Sequence, residues 1–248
     1  MGRKQLISQT GLDITLTPGL DEENVFRRSL LASILPWFIA GICFAEDHDL
    51  GVGAWKVVDR DRGITLSRRE QPGCGLPAFR GEGQIDGGVL QVLSVMLDLS
   101  VLHLWAYGVD EAHVIKRIDA RTEILYLYSD LPWPVRDRDM IVKKEVDVIK
   151  PGEAFRIRLS CAPEASPERH GVIRVPRCSS TFVVRSVDAD TTDIDYIMSL
   201  DPAGLLPKWA GSFVAKQVPF STLVAIEERA TASKGKYEAS IRRWSVAM

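Results

Sequence analysis

Cysteine is scarce and scattered in this chain. Cys43, Cys74, Cys161 and Cys178 form no CxxC pair, so neither a zinc site nor a thioredoxin-like redox motif is signalled. Histidine is as sparse: His48, His103, His113 and His170 stand alone, each reading as a structural histidine. The GxSxG elbow and the HExxH helix are both missing, which removes the two best-known sequence signatures of hydrolases. Gly51 and Gly53, and Gly81, Gly83, Gly87 and Gly88, complete neither a GxGxxG turn nor a P-loop, so nucleotide binding has no support. No long Lys or Arg run occurs, and 31 basic residues against 33 acidic ones leave a formal net charge of -2; no nucleic acid partner is expected. No internal repeat is visible, so a solenoid is not indicated.

The most apolar stretch, Ser29 to Ala45, falls short of the roughly 20 residues a spanning helix wants. It follows Arg27-Arg28 and ends at Ala45 before Glu46-Asp47-His48-Asp49, the layout of a secretory signal peptide. Export to the periplasm or cell exterior is therefore expected, with an uncleaved membrane anchor serving a partner protein as the alternative. Ile42 stands before Cys43 where a lipobox needs Gly or Ala, which argues against a lipid-modified cysteine. Residues 1–24 read as a flexible extension or an upstream mis-start, 25–45 as the signal peptide or anchor, and 46–248 as one folded domain. The Glu46–Asp49 cluster has metal-binding composition, yet reads as a solvated charged face; no metal and no cofactor is assigned.

With 46% of 248 residues hydrophobic, one sizeable core can be buried. Trp55–Val58 and Ile64–Arg68, around Asp59–Gly63, alternate as a hairpin does. Asp86 is placed to cap a helix with Val89, Val92, Leu93, Met96 and Leu97 on one face. Tyr107–Asp110, Ala112–Asp119, Glu123–Ser129, Met140–Ile149, Phe155–Cys161, Arg177–Val187 and Thr192–Leu200 read as strands of a largely antiparallel sheet. A turn at Asp201–Gly204 leads to a last helix opened by Pro207 and running towards Arg229, with a kink or break expected at Pro219. Strands grouped between helices in this way indicate α+β. Cys161 and Cys178 face each other across the Pro-rich loop 162–167; a disulfide is conceivable after export, and two buried thiols are as ordinary.

Taken in order, Trp55-Lys56-Val57-Val58 with Gly63-Ile64 and Arg68, then Asp98 and Trp105, Leu131-Pro132-Trp133-Pro134 with Arg138-Asp139, Val172-Ile173-Arg174, and Asp201 to Trp209 resemble the START family of lipid-transfer domains. The resemblance runs from about Gly51 to Ala230. It implies a helix-grip fold, a curved antiparallel sheet around a long C-terminal helix, with a tunnel for a lipid or sterol-like molecule gated by that helix. It further implies a non-enzymatic monomer with transient contact to a membrane surface; a cyclase or hydrolase of the wider superfamily, using the same cavity, is the alternative. Some START domains place charges in the tunnel to meet a ligand's polar group. A strand starting at Arg138 puts Arg138, Met140, Val142 and Lys144 on one face, and these are the candidate ligand contacts together with Trp209 and Phe213 on the last helix. Against this, Asp137 and Asp139 suggest that Arg138 belongs to a salt-bridged junction, and Lys143 and Glu145 suggest a solvated face at Lys144.

Overall fold

The computed structural model describes residues 53–71, 76–204 and 208–246, with the stretch 208–216 as backbone alone. All of these fall in the unit Gly41–Met248. The extension 1–24, the segment 25–45 and the Glu46–Asp49 cluster lie outside the described residues.

Strands β1 (Lys56–Asp61) and β2 (Ile64–Arg69) form the expected hairpin. Its two central residues, Arg62 and Gly63, take φ of 50° and 77°, the two-residue geometry that matches the twist of paired strands. β3 (Ala78–Asp86) was not anticipated from the sequence, because Gly81 and Gly83 weaken a strand pattern. The structure shows why they are there. A Cβ on Gly81 would lie 2.9 Å from Leu223 Cδ1, and one on Gly83 would lie 2.6 Å from the Gly63 carbonyl oxygen. The glycines admit a helix on one side and the hairpin turn on the other.

Helix α1 (Val89–Leu97) buries Val89, Val92, Leu93 and Met96 at helical spacing, as expected. Its cap is Gly88, with no side-chain hydrogen bond, and not Asp86, which closes β3. The reason is steric. The Gly87-Gly88 pair turns the chain beneath Ala189, whose carbonyl oxygen would be 2.5 Å from a Cβ on Gly88. A 3-10 helix, Leu99–Leu104, follows. Tyr107–Asp110 forms a turn in place of the expected strand, since Gly108 reverses the chain at φ 83° and the Val109 amide donates to the Ala106 carbonyl at 3.0 Å.

The remaining strands are β4 (Glu111–Arg117), β5 (Thr122–Ser129), β6 (Arg138–Lys150), β7 (Ala154–Cys161), β8 (Ile173–Arg174), β9 (Arg177–Ser186) and β10 (Thr191–Asp201). The sheet order is β1-β2-β3-β10-β9-β7-β6-β5-β4, antiparallel throughout, with short β8 running parallel to β6. Cys161 and Cys178, at the end of β7 and the start of β9, are joined as a disulfide.

The last long helix, α2 (Lys208–Ala232), continues through Pro219 without a break. Leu223, Ile226 and Ala230 are fully buried beyond it, so packing of that face outweighs the one backbone donor that proline removes. The α+β helix-grip arrangement is thus the observed fold. A further short helix, α3 (Glu238–Ser245), was not anticipated. It is stitched to α1: Ser94 Oγ donates to Ser240 Oγ at 2.8 Å and the Tyr237 hydroxyl to Asp98 at 2.9 Å. Trp244 stands edge-on to Phe155, 6.0 Å between centroids.

Candidate functional site

Side chains alternate across a strand, so one face of the sheet and the elements over it share a boundary. Leu125, Leu127 and Ser129 of β5, Arg138, Met140 and Val142 of β6, Phe182 of β9, and Tyr196 and Met198 of β10 point to a common cavity of about 550 Å³. Trp105 and Ala106 after the 3-10 helix, the β5–β6 loop at Leu131, Pro132 and Val135, and Val218 and Thr222 of α2 complete its walls. Within it Phe182 and Tyr196 stack at 4.0 Å, and Trp105 meets Phe182 edge-on at 6.3 Å. Burial pushes the Tyr196 phenol up to about 12, so it stays protonated at neutral pH.

Two arginines near this cavity have opposite circumstances. Arg174 makes five hydrogen bonds: its Nε and Nη2 reach the Asp139 carboxylate at 2.7 and 3.0 Å, and its Nη groups also donate to the carbonyls of Pro163, Ser166 and Pro167. Every donor of the fork is satisfied, and Asp139 holds its pKa up. Among the described residues Arg138, only 4% exposed, has no partner for its buried Nε and makes one hydrogen bond, to the Arg136 carbonyl. Burial and the charge of Arg136 push its pKa down against the pull of Asp137. The salt-bridged junction read from the sequence exists, but not through Arg138. Asp139 pairs with Arg174, and Asp137 accepts from the Tyr128 hydroxyl at 2.7 Å and the Leu131 amide at 3.2 Å.

The START-domain family profile matches residues 46–225. The chain belongs to the START-domain family. A crystal structure of the STAR-related lipid transfer protein of Xanthomonas axonopodis superposes with a TM-score of 0.63 at 29% identity, over 71% of this chain and 98% of that one. An uncharacterized protein of Pseudomonas aeruginosa is 26% identical over 209 residues, 84% of this chain and 98% of its own length. The bovine phosphatidylcholine transfer protein is 25% identical over 171 residues, covering 67% of this chain and 79% of that protein.

In this START domain Arg138, Met140 and Val142 meet in the cavity as their alternation suggested, while Lys144 does not. It shares their face of β6 but lies one step further along, in a separate polar pocket of about 550 Å³ with Asp98, Arg117, Arg121, Tyr237 and Arg243. There it pairs with Glu123 at 2.7 Å, and Arg117 reaches the same carboxylate at 2.9 Å. Trp209 and Phe213 lie on α2, with side chains outside the described residues. Tyr196, Met198 and Phe182 went unrecognised as cavity residues, although their period-two spacing on β9 and β10 was the available signal.

Burial raises the Glu123 pKa, but the hydrogen bonds and charges of Lys144 and Arg117 outweigh it and hold the carboxyl below its ordinary value of 4.5. A group depressed in this way contributes stability that is full above that value and lost as pH falls through its folded pKa. Thermal melting is therefore expected to drop as the pH falls below 4.5, and a Glu123→Gln variant to show a shallower drop. Parallel curves for the two proteins would count against the assignment.

Proposed function

We propose that this START domain binds one lipid or sterol-like molecule in the cavity and carries it, without performing chemistry on it. The carrying observation is the cavity's construction: an apolar wall of Leu125, Leu127, Met140, Val142 and Phe182, closed by α2. Apolar burial supplies about 25 cal/mol per Å² before association and ordering losses, enough to retain a hydrophobic ligand and release it at a membrane. The relatives named as lipid-transfer proteins support the same reading.

The gate is the first half of α2. Beyond Pro219 the helix is held by buried Leu223 and Ile226, by Glu227 accepting from the Asp86 amide at 3.0 Å, and by Gln91 donating to the Ser233 carbonyl at 2.8 Å. Ahead of Pro219, Val218 borders the cavity. A disulfide engineered between residues 208–218 and the sheet is expected to slow ligand exchange by about tenfold or more, read by fluorescent-lipid transfer; unchanged exchange removes the gate from the proposal.

The membrane contact is assigned to the rim. Trp133 is 92% exposed on the loop whose neighbours Leu131, Pro132 and Val135 line the cavity, and Tyr107 is half-exposed beside it. An aromatic ring with a polar edge suits the interface of a bilayer. The domain acts as a monomer in an exported location; the Cys161–Cys178 disulfide supports that compartment, where disulfides persist. Intact mass of the protein from its own host tests export, since processing after Ala45 removes the leader and retention keeps it. For carriage, native mass spectrometry followed by solvent extraction is expected to find one bound lipid per chain. An empty protein that turns over esters would replace the carrier with an enzyme.

A further inference from the structure

We infer that the ligand is an anionic, single-chain amphiphile with a second hydrogen-bond acceptor along its apolar body, held by Arg138 at its head and by the Trp105 indole N–H. This rests on the cavity being the ligand site. Two residues that line the cavity, both at least nine-tenths buried, carry a donor without a partner among the described residues: Arg138 at Nε and Trp105 at Nε1. They belong to different walls, one opening β6 and the other following the 3-10 helix against Phe182. Buried polar groups are nearly always satisfied, and a buried charge more stringently still.

The acids nearest Arg138 are committed elsewhere, Asp139 to Arg174 and Asp137 to Tyr128 and the Leu131 amide. Asp137 offsets the charge of Arg138 only in part, and the remainder therefore comes from what fills the cavity. A planar guanidinium with free donors suits a carboxylate or a phosphate, whose paired oxygens accept its fork. Trp105 offers one neutral donor and suits a hydroxyl, carbonyl or ether oxygen. Size restricts the class further: at about 550 Å³ the cavity falls within the roughly 300–1,000 Å³ of pockets that hold one drug-sized molecule. A head group with one alkyl or isoprenoid chain is of that size.

The experiment uses the full chain, stripped of bound lipid, titrated with palmitic acid, dodecyl phosphate and methyl palmitate. Each anion is expected to bind about tenfold or more tighter than the ester, as one charge-assisted hydrogen bond implies. Arg138→Met is expected to abolish that preference, read as the ratio of anion to ester affinity within each protein, whereas Arg138→Lys keeps part of it. Whichever anion loses more on Arg138→Met is the better head group, separating carboxylate from phosphate. A wild-type protein that binds ester and acids equally, or an Arg138→Met protein that retains the preference, overturns the inference and leaves carriage standing. Failure of all three probes overturns the inference, and overturns carriage with it only if the protein from its own host also carries no extractable lipid. Trp105→Phe is expected to weaken a mid-chain hydroxy fatty acid about fivefold more than palmitic acid; equal losses assign Trp105 to packing alone.

Discussion

Arg174→Met is expected to lose about 3–5 kcal/mol of folding stability, whereas Arg138→Met is expected to lose none and to gain about 1 kcal/mol or more. Both are arginines with buried side chains on paired strands, Arg138 standing opposite Ile173 and Asp139 opposite Arg174 where β8 meets β6. What separates them is the state of their partners. Removing Arg174 strands Asp139, 1% exposed, as an uncompensated carboxylate and leaves the carbonyls of Pro163, Ser166 and Pro167 without their donor. Removing Arg138 takes away a desolvated charge that Asp137 offsets only in part and fills its volume with an apolar chain. Urea unfolding of the two ligand-free variants beside wild type makes the comparison. A large loss in Arg138→Met would show that its guanidinium is structural and that its orphaned Nε is satisfied in solution. A gain is the pattern of a residue kept for binding at the expense of stability.

Legibility of the fold followed the strength of each local pattern. The alternation in β5, β6, β9 and β10 is two-sided and uninterrupted, so these strands were readable to within a few residues. β3 was hidden because the property that makes Gly81 and Gly83 indispensable, the close approach of Leu223 and of the Gly63 carbonyl, is a property of other segments. Local propensity carries no trace of it. The cap at Gly88 failed for the same reason, being set by Ala189 against the backbone, whereas the turn at Gly108 rests on that residue's own positive φ. Of the kink or break expected at Pro219, the break does not occur: the helix runs through it to the packing of Leu223, Ile226 and Ala230.

The site was half legible. Period two put Arg138, Met140, Val142 and Lys144 on one face correctly, but two residues along a strand is about 6.6 Å, and that step carries the face out of one cavity and into another. Nothing in the sequence marks where the boundary falls. The acids beside Arg138 in sequence suggested ion pairs, yet neighbours along a strand point to opposite faces. Asp139 turns away to a partner 35 residues on, and Arg138 is left facing the cavity.

Loss of the Cys161–Cys178 disulfide, as a paired serine substitution, is expected to destabilise the protein by about 3 kcal/mol, the chain-entropy value for a loop of this length. The segment it closes contains Arg174 itself and the three carbonyls that accept from it, so the disulfide and the ion pair to Asp139 hold one piece of chain at two places. Their losses should then be less than additive. Once Arg174 is gone the loop has already loosened, and opening the disulfide frees less. A double-mutant cycle with Arg174→Met reads this directly, and sums agreeing within about 0.5 kcal/mol would show two independent clamps. Val175 and Cys178 also border the cavity, so the same substitution is expected to speed release of a bound lipid. Faster release with unchanged stability would separate the wall's mobility from the fold's, and unchanged release would leave α2 as the part that governs exchange.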